Sequence, residues 1–479
     1  MTTNALLLAA LALAIALCAL CTKLSHRLGI PALALFSLIG MLFGSDGVLG
    51  IPFADAAMAE QLCSLALVPI LFYGGFGTNW KTARPVAGRA ILLSSAGVFL
   101  TSALTGLFCH LALGMSWWEG MLMGSVVGST DATSVFSVLR SHKLNLKGGL
   151  APLLEVESGS NDPFAYILTV AILSLKGGEG SLAGLFLAQV GGGVLCGFAL
   201  GAAAVFLMKR LRFESEGWQP IFTLALALLI YALTGLLGGN GYLAVYISGI
   251  LLGNAPIPHK RPLVHFFDGT TSLLQIAIFF TLGLLSFPSG LPRVLPAGLA
   301  ISLFLALVAR PAAVFLLLAP FRMPWRQKLL LCVAGLRGAA AIVFSLVVAA
   351  GAPGLERDIF HIIFVVALSS VTVQGALIPW AAKKLDLVDP DGTVLETFTD
   401  YQETGAARLV QLPAGALLQG APRFVADLPL PEGVLIVEIL RAGETVVPSG
   451  GTLVKEGDTL TLCGEEESLS ALLSPEIQG

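Results

Sequence analysis

Six ionisable residues lie in stretches that are otherwise apolar: Asp131, Glu155, Glu157, Asp162, Arg310 and Arg337. In hydrocarbon each is unfavourable by at least ~2.5–3.5 kcal/mol. Such groups persist where they pair or line a polar cavity, and ion pathways are the usual reason. A buried ion pair that only locks helices together is the plainer reading. Against it, the six cluster on four segments, and acids outnumber bases.

Asp162 closes the run Glu157-Ser158-Gly159-Ser160-Asn161-Asp162 and precedes Pro163. Ser158 and Asp162 are a helical turn apart and share a face, as do Glu157 and Asn161. Pro163 has no N–H for the Gly159 carbonyl, so an oxygen is freed close to Asp162. Hydroxyl, carboxylate and free carbonyl together suit a hard monovalent cation. A carboxylate is also the group for which a proton competes. One site that binds either ion, never both, is the minimum machine for exchange.

Two further segments are interrupted. The run from Gly124 to Asp131 (GSVVGSTD) is poor in helix formers, so it predicts an unwound stretch with carbonyls free to face a cation. Asp131 would then balance the positive end of a half-helix. Gly124 and Gly128 also read as a small-residue packing face, and the two readings are compatible. The second interruption is Gly335-Leu336-Arg337-Gly338. Arg337 needs a carboxylate at that depth, with Glu157 or Glu155 the obvious partner. Arg310-Pro311 is another cation in an apolar run, whose partner the sequence does not choose.

These residues need membrane helices to hold them. Apolar runs of spanning length or near it occur at about 4–22, 29–45, 56–76, 90–113, 117–140, 148–175, 181–208, 218–237, 240–254, 268–286, 294–319, 328–350 and 359–382. The loops between these thirteen spans carry 18 Lys/Arg on one side and 3 on the other. That asymmetry places the N-terminus outside and the C-terminus in the cytoplasm. MTTN supplies no positive region before the first run, which therefore reads as a retained helix. The interrupted spans are the fifth and twelfth, seven apart. They fall at equivalent places if the seventh links two inverted six-helix repeats, the arrangement that marks a transporter's binding site.

Composition agrees: 56% of the 479 residues are hydrophobic and 12% charged, half the usual charged share. The seven cysteines have no metal-type spacing and read as small hydrophobes. Residues 1–385 hold 23 Lys/Arg against 14 Asp/Glu, whereas 386–479 hold 4 against 16. A membrane domain (1–385), a polar linker (386–405) and a small cytoplasmic domain (406–479) follow. In the last, β-branched runs at 434–437, 445–447 and 459–462 between Gly/Pro turns predict strands, with an amphipathic helix from Glu466 to Leu473.

The stretches GSTDAT (128–133), ESGSND (157–162) and GLRGA (335–339) resemble the cation:proton antiporter superfamily, in its NhaP-like, sodium/hydrogen-exchanger branch. Bacterial potassium/proton exchangers of the cell-volume-regulation type are the members most like it. The resemblance implies thirteen helices in inverted repeats, crossed broken helices 5 and 12, and a homodimer with an elevator-like motion. It implies that Asp162 alternates between cation and proton, and that Ser158, Glu157 and the backbone of Thr130 complete the ion site. Arg337 would hold Glu157 and Asn161, and Asn161 marks the electroneutral branch. Glu155 lies outside the matched motif. The tail resembles the RCK-C (TrkA-C) domain of potassium transport proteins. That domain dimerises and can bind small regulators such as nucleotides, and its presence tilts the cation toward potassium.

No Walker A loop, HExxH or nucleophile elbow occurs, so an enzyme has little support, and no feature calls for nucleic acid. The rivals are a ligand-gated potassium channel, which wants a filter such as TVGYG, and a sodium-coupled symporter, which needs an organic-solute pocket.

Overall fold

A computed structural model describes residues 2–28, 32–142, 144–176, 182–211, 213, 215, 217–257, 260–352, 355–389, 408–418, 422–431, 433–441 and 444–464. The chain divides into two compact units, Met1–Asp400 and Tyr401–Gly479.

The first unit is helical. Its spans are α1 (Thr2–Leu28), α2 (Ala32–Phe43), α3 (Ala56–Gly77), α4 (Trp80–Leu113), α6 (Leu150–Lys176), α7 (Leu182–Arg210), α8 (Trp218–Leu236), α9 (Gly241–Asn254), α10 (Lys260–Leu285), α11 (Leu291–Leu317) and α13 (Ile359–Lys384). Two more are broken into halves: α5a (Trp117–Val126) with α5b (Ala132–Ser141), and α12a (Trp325–Val333) with α12b (Ala339–Gly351). Each expected span therefore has a helical counterpart. The largest boundary shifts are at α4 and α10, which begin about ten and eight residues earlier than the apolar runs suggest. Arg84 and Arg89 consequently lie within a helix, and Asp268 inside its helix and not at its start, because amphipathic first turns extend a span beyond its apolar stretch.

Spans 4 and 11 each contain a five-residue π-helical turn, Leu93–Gly97 and Leu305–Ala309. The π turn of each packs against the α-helical second half of the other. Matching bulges seven spans apart, alongside matching breaks in spans 5 and 12, are the imprint of the repeat. A third π turn, Ser370–Gln374, interrupts α13. Such turns rotate the residues after them relative to the preceding face and recur at functional sites.

Small residues bring the helices close. A side chain at Gly124 would run into the Ser102 carbonyl, so α5a lies against the α4 backbone, and the packing reading of that glycine holds beside the unwinding one. After α13 the chain stays tied to the segment before α6. Lys147 N–H donates to the Leu387 carbonyl (2.9 Å) and Asp389 N–H to that of Asn145 (3.0 Å).

The second unit holds an antiparallel sheet in the order β1-β6-β3-β4. Its strands are β1 (Arg408–Pro413), β3 (Leu435–Arg441), β4 (Glu444–Val446) and β6 (Thr459–Gly464), and β2 (Arg423–Phe424) pairs separately with β5 (Leu453–Val454). Ile439 and Leu460 form its buried core with Ala414 and with Leu417 and Leu418 of the short α14 (Gly415–Leu418). The three expected strands are present, and β1 joins them at the edge. Most of the expected linker and the helix at Glu466–Leu473 lie outside the described residues.

Candidate ion-exchange site

The breaks in α5 and α12 meet. Asp131 N–H donates to the Leu336 carbonyl at 2.8 Å, backbone to backbone. Gly338 has to be glycine here: a side chain would overlap the Asp131 carboxylate. Asp131 caps α5b, accepting from Ser134 N–H (3.2 Å) and Ser134 Oγ (2.5 Å), which places negative charge at the positive end of that half-helix. Arg337 serves the opposite pole. Its Nη1 donates to the carbonyls of Gly128 (2.9 Å) and Ser129 (2.5 Å), just beyond the end of α5a, where carbonyls lack helical partners. Its own N–H donates to Ser370 Oγ (3.0 Å), in the π turn of α13.

Helix α6 runs unbroken through Pro163 and is stitched to the break in α5 by three side chains. Ser158 Oγ donates to the Thr130 carbonyl (2.8 Å) and accepts from Ala132 N–H (2.8 Å). Asn161 Nδ2 donates to Thr130 Oγ1 (2.5 Å). Ser129 Oγ donates to Asp162 Oδ1 (2.5 Å). The Asn161 Oδ1 atom is buried with no hydrogen-bond partner among the described residues.

Asp162, Ser158, Thr130 and Asp131 line one cavity of about 560 Å³, together with Ser129 and Glu155. A serine hydroxyl has one donor and two acceptor positions, and a carbonyl has two lone pairs. Ser158 Oγ and the Thr130 carbonyl therefore each keep a free lone pair beside the carboxylate. Those oxygens and Asp162 are what a dehydrated monovalent cation would need.

Two expectations are corrected. Glu157 is not at the ion site. It is absent from the cavity wall, 1% exposed, and 2.5 Å from Nη1 of Arg310, itself 4% exposed. Five residues on a helix turn through about 140° beyond a full revolution, so Glu157 faces away from Asp162. Arg337 holds neither Glu157 nor Asn161. Arg310 takes the acid, leaving Arg337 to backbone oxygens. The Glu157–Arg310 contact is a buried, charge-assisted pair.

Ser129 and Asp268 were missing from the expected site. Ser129 lies within the GSTDAT stretch, where spacing alone gives no reason to prefer it over Thr130. Asp268 opens the expected span 268–286, so it reads there as a boundary residue. Its helix carries Asp268, Thr271, Ser272 and Gln275 at helical spacing, and all four line the cavity. That polar stripe was the available signal.

Broken helices crossing at mid-membrane around one carboxylate define a secondary transporter of the inverted-repeat kind. The sequence matches the transmembrane sodium/hydrogen exchanger family over residues 12–384, and the TrkA-C domain over 410–475. The chain belongs to the sodium/hydrogen exchanger family. It is 35% identical over 477 residues to the K(+)/H(+) antiporter NhaP2 of Shewanella sp. (strain MR-4), covering 96% of this chain and 81% of that one. The K(+)/H(+) antiporter NhaP of Alkalimonas amylolytica is 35% identical over 453 residues, covering 92% and 78%. The sodium proton antiporter MjNhaP1 from Methanocaldococcus jannaschii shares the fold, with a TM-score of 0.70 at 24% identity over 79% of this chain and 99% of that one.

Proposed function

We propose that this chain exchanges a monovalent cation, potassium by preference, for protons across a bacterial inner membrane. The observation that carries the reading is Asp162, a carboxylate on the wall of a polar cavity where two broken helices cross. Cation and proton compete for it, so each departure admits the other. Ser129 holds one carboxylate oxygen and leaves the second to the ion, with Ser158 Oγ and the Thr130 carbonyl as further ligands. Asn161, Asp131, Arg337 and the Glu157–Arg310 pair keep the crossing in shape. Electroneutral stoichiometry, a homodimer and a small regulator such as a nucleotide at the tail domain belong to the same reading. Loop charges support an outside N-terminus and a cytoplasmic tail. Potassium is favoured by the two relatives called K(+)/H(+) antiporters and by the TrkA-C domain. The channel alternative is not favoured, since the relatives are antiporters.

Reconstituted vesicles with a preset pH gradient test it. Potassium, then sodium, is added to the wild type and to Asp162→Asn while internal pH is followed. Cation-dependent collapse in the wild type alone is expected. Potassium movement without coupled proton flux would overturn the reading.

A further inference from the structure

The exchange reading uses Asp162 and leaves Glu155 without a role. Seven residues on a helix are two turns, so Glu155 and Asp162 face the same way about 10 Å apart. Both line the one cavity. Asp162 lies near the middle of α6, while Glu155 lies five residues after its first residue, Leu150, toward the end of the helix. An ion that travels along this wall from that end meets Glu155 first.

The surroundings of Glu155 are those of a ligand site. Thr78, at the end of α3, and Arg140, in the last turn of α5b, are the groups that face its carboxylate. Tyr246 of α9 lies over Gly159, between the two acids on the same face of α6. A side chain on Gly159 would overlap the phenol ring and reach 2.7 Å from its hydroxyl. That hydroxyl is buried and shares Thr78 with the Glu155 carboxylate. Across the cavity stand Asp268, Ser272 and Gln275 of α10. Among the described residues, the ionisable groups on the cavity wall are thus four acids (Asp131, Glu155, Asp162 and Asp268) and one base, Arg140. Such a cleft concentrates cations. An acid held there solely as the partner of Arg140 would not need the polar stripe opposite it.

We propose that Glu155 is a second cation-binding carboxylate of the transport path, a station that the ion occupies before it reaches Asp162. The proposal deepens the exchange reading and rests on it. Glu155 positions the incoming ion and raises its local concentration, whereas Asp162 alone exchanges it for a proton.

Vesicle exchange and binding separate the possibilities. Glu155→Gln is expected to raise the potassium concentration for half-maximal exchange about tenfold, the size of one lost charge-assisted contact, with the maximal rate within about twofold of wild type. Glu155→Asp is expected to restore most of the affinity. An unchanged half-maximal concentration with a lowered maximal rate would overturn the proposal, since that is the signature of a merely structural partner of Arg140. Purified Asp162→Asn protein gives an independent reading that does not need the Gln variant to fold. Potassium chloride, against choline chloride of equal ionic strength, is expected still to raise its melting temperature through Glu155. No potassium-specific shift in that protein overturns the station. Exchange that survives in Asp162→Asn vesicles would instead overturn the underlying function.

Discussion

Ser129 Oγ donates to Asp162 Oδ1 at 2.5 Å and so ties the unwound segment of α5 to the middle of α6. A donor of this kind stabilises the charged carboxylate, the form that binds a cation, over the neutral acid. It also fixes which oxygen remains for the ion. Ser129→Ala removes the donor while leaving the backbone carbonyls of the break in place. Such charge-assisted bonds contribute about 1.5–3 kcal/mol. At fixed pH the cation concentration for half-maximal exchange is expected to rise by about tenfold or more. Titration of potassium against the rate of gradient collapse measures it.

Gly338→Ala is expected to abolish exchange without removing the protein from the membrane. Its new methyl would occupy the space of the Asp131 carboxylate, the cap of α5b. Either the cap or the contact between Asp131 N–H and the Leu336 carbonyl must then give way. Both lie at the crossing, so the change is local to the two breaks. Normal size-exclusion behaviour with no cation-dependent proton flux is the expected pair of results.

The tail domain carries a pH-dependent fastening. Asp458, 3% exposed, accepts two bonds from Arg441 (2.9 and 2.6 Å) and one from Lys455 N–H (2.8 Å). The Arg441 guanidinium holds its carboxyl below the usual value of 3.8. A depressed folded value means that the contribution is complete above about pH 4 and is lost as the pH falls through the folded value. Limited proteolysis of the full chain reads this out. Cleavage within 408–464 is expected to accelerate as the pH is lowered below about 4 in the wild type. In Asp458→Asn it is expected to be faster already at pH 7 and to depend less on pH.

The spans were legible because hydrocarbon thickness leaves a long apolar run no other reading, and the breaks because Gly-Ser-Thr runs and Gly-Leu-Arg-Gly cannot sustain a helix there. Pairing across helices was not legible. Arg337 and Arg310 are chemically alike, and only the three-dimensional crossing shows that one meets carbonyls and the other Glu157. Helical phase could have said more. Glu155 shares the Asp162 face and Glu157 does not, which the spacing of the three acids already contains. Asp268 was hidden by its place at a span boundary, since hydropathy cannot tell a polar first turn from a loop.

Glu157 and Arg310 are both almost fully buried, so each is tolerable only while the other is charged and present. Removing one partner leaves an uncompensated buried charge, which costs about 3–5 kcal/mol. Glu157→Gln and Arg310→Gln are therefore each expected to lower the melting temperature of the purified protein strongly. The double variant buries no charge at this spot and is expected to melt above at least one of the singles. Combining Glu157→Gln with Arg337→Gln gives no such recovery, because Arg337 donates to Gly128 and Ser129 carbonyls and not to Glu157. Thermal melts of the two cycles decide the pairing. Recovery with Arg337 and none with Arg310 would reverse it.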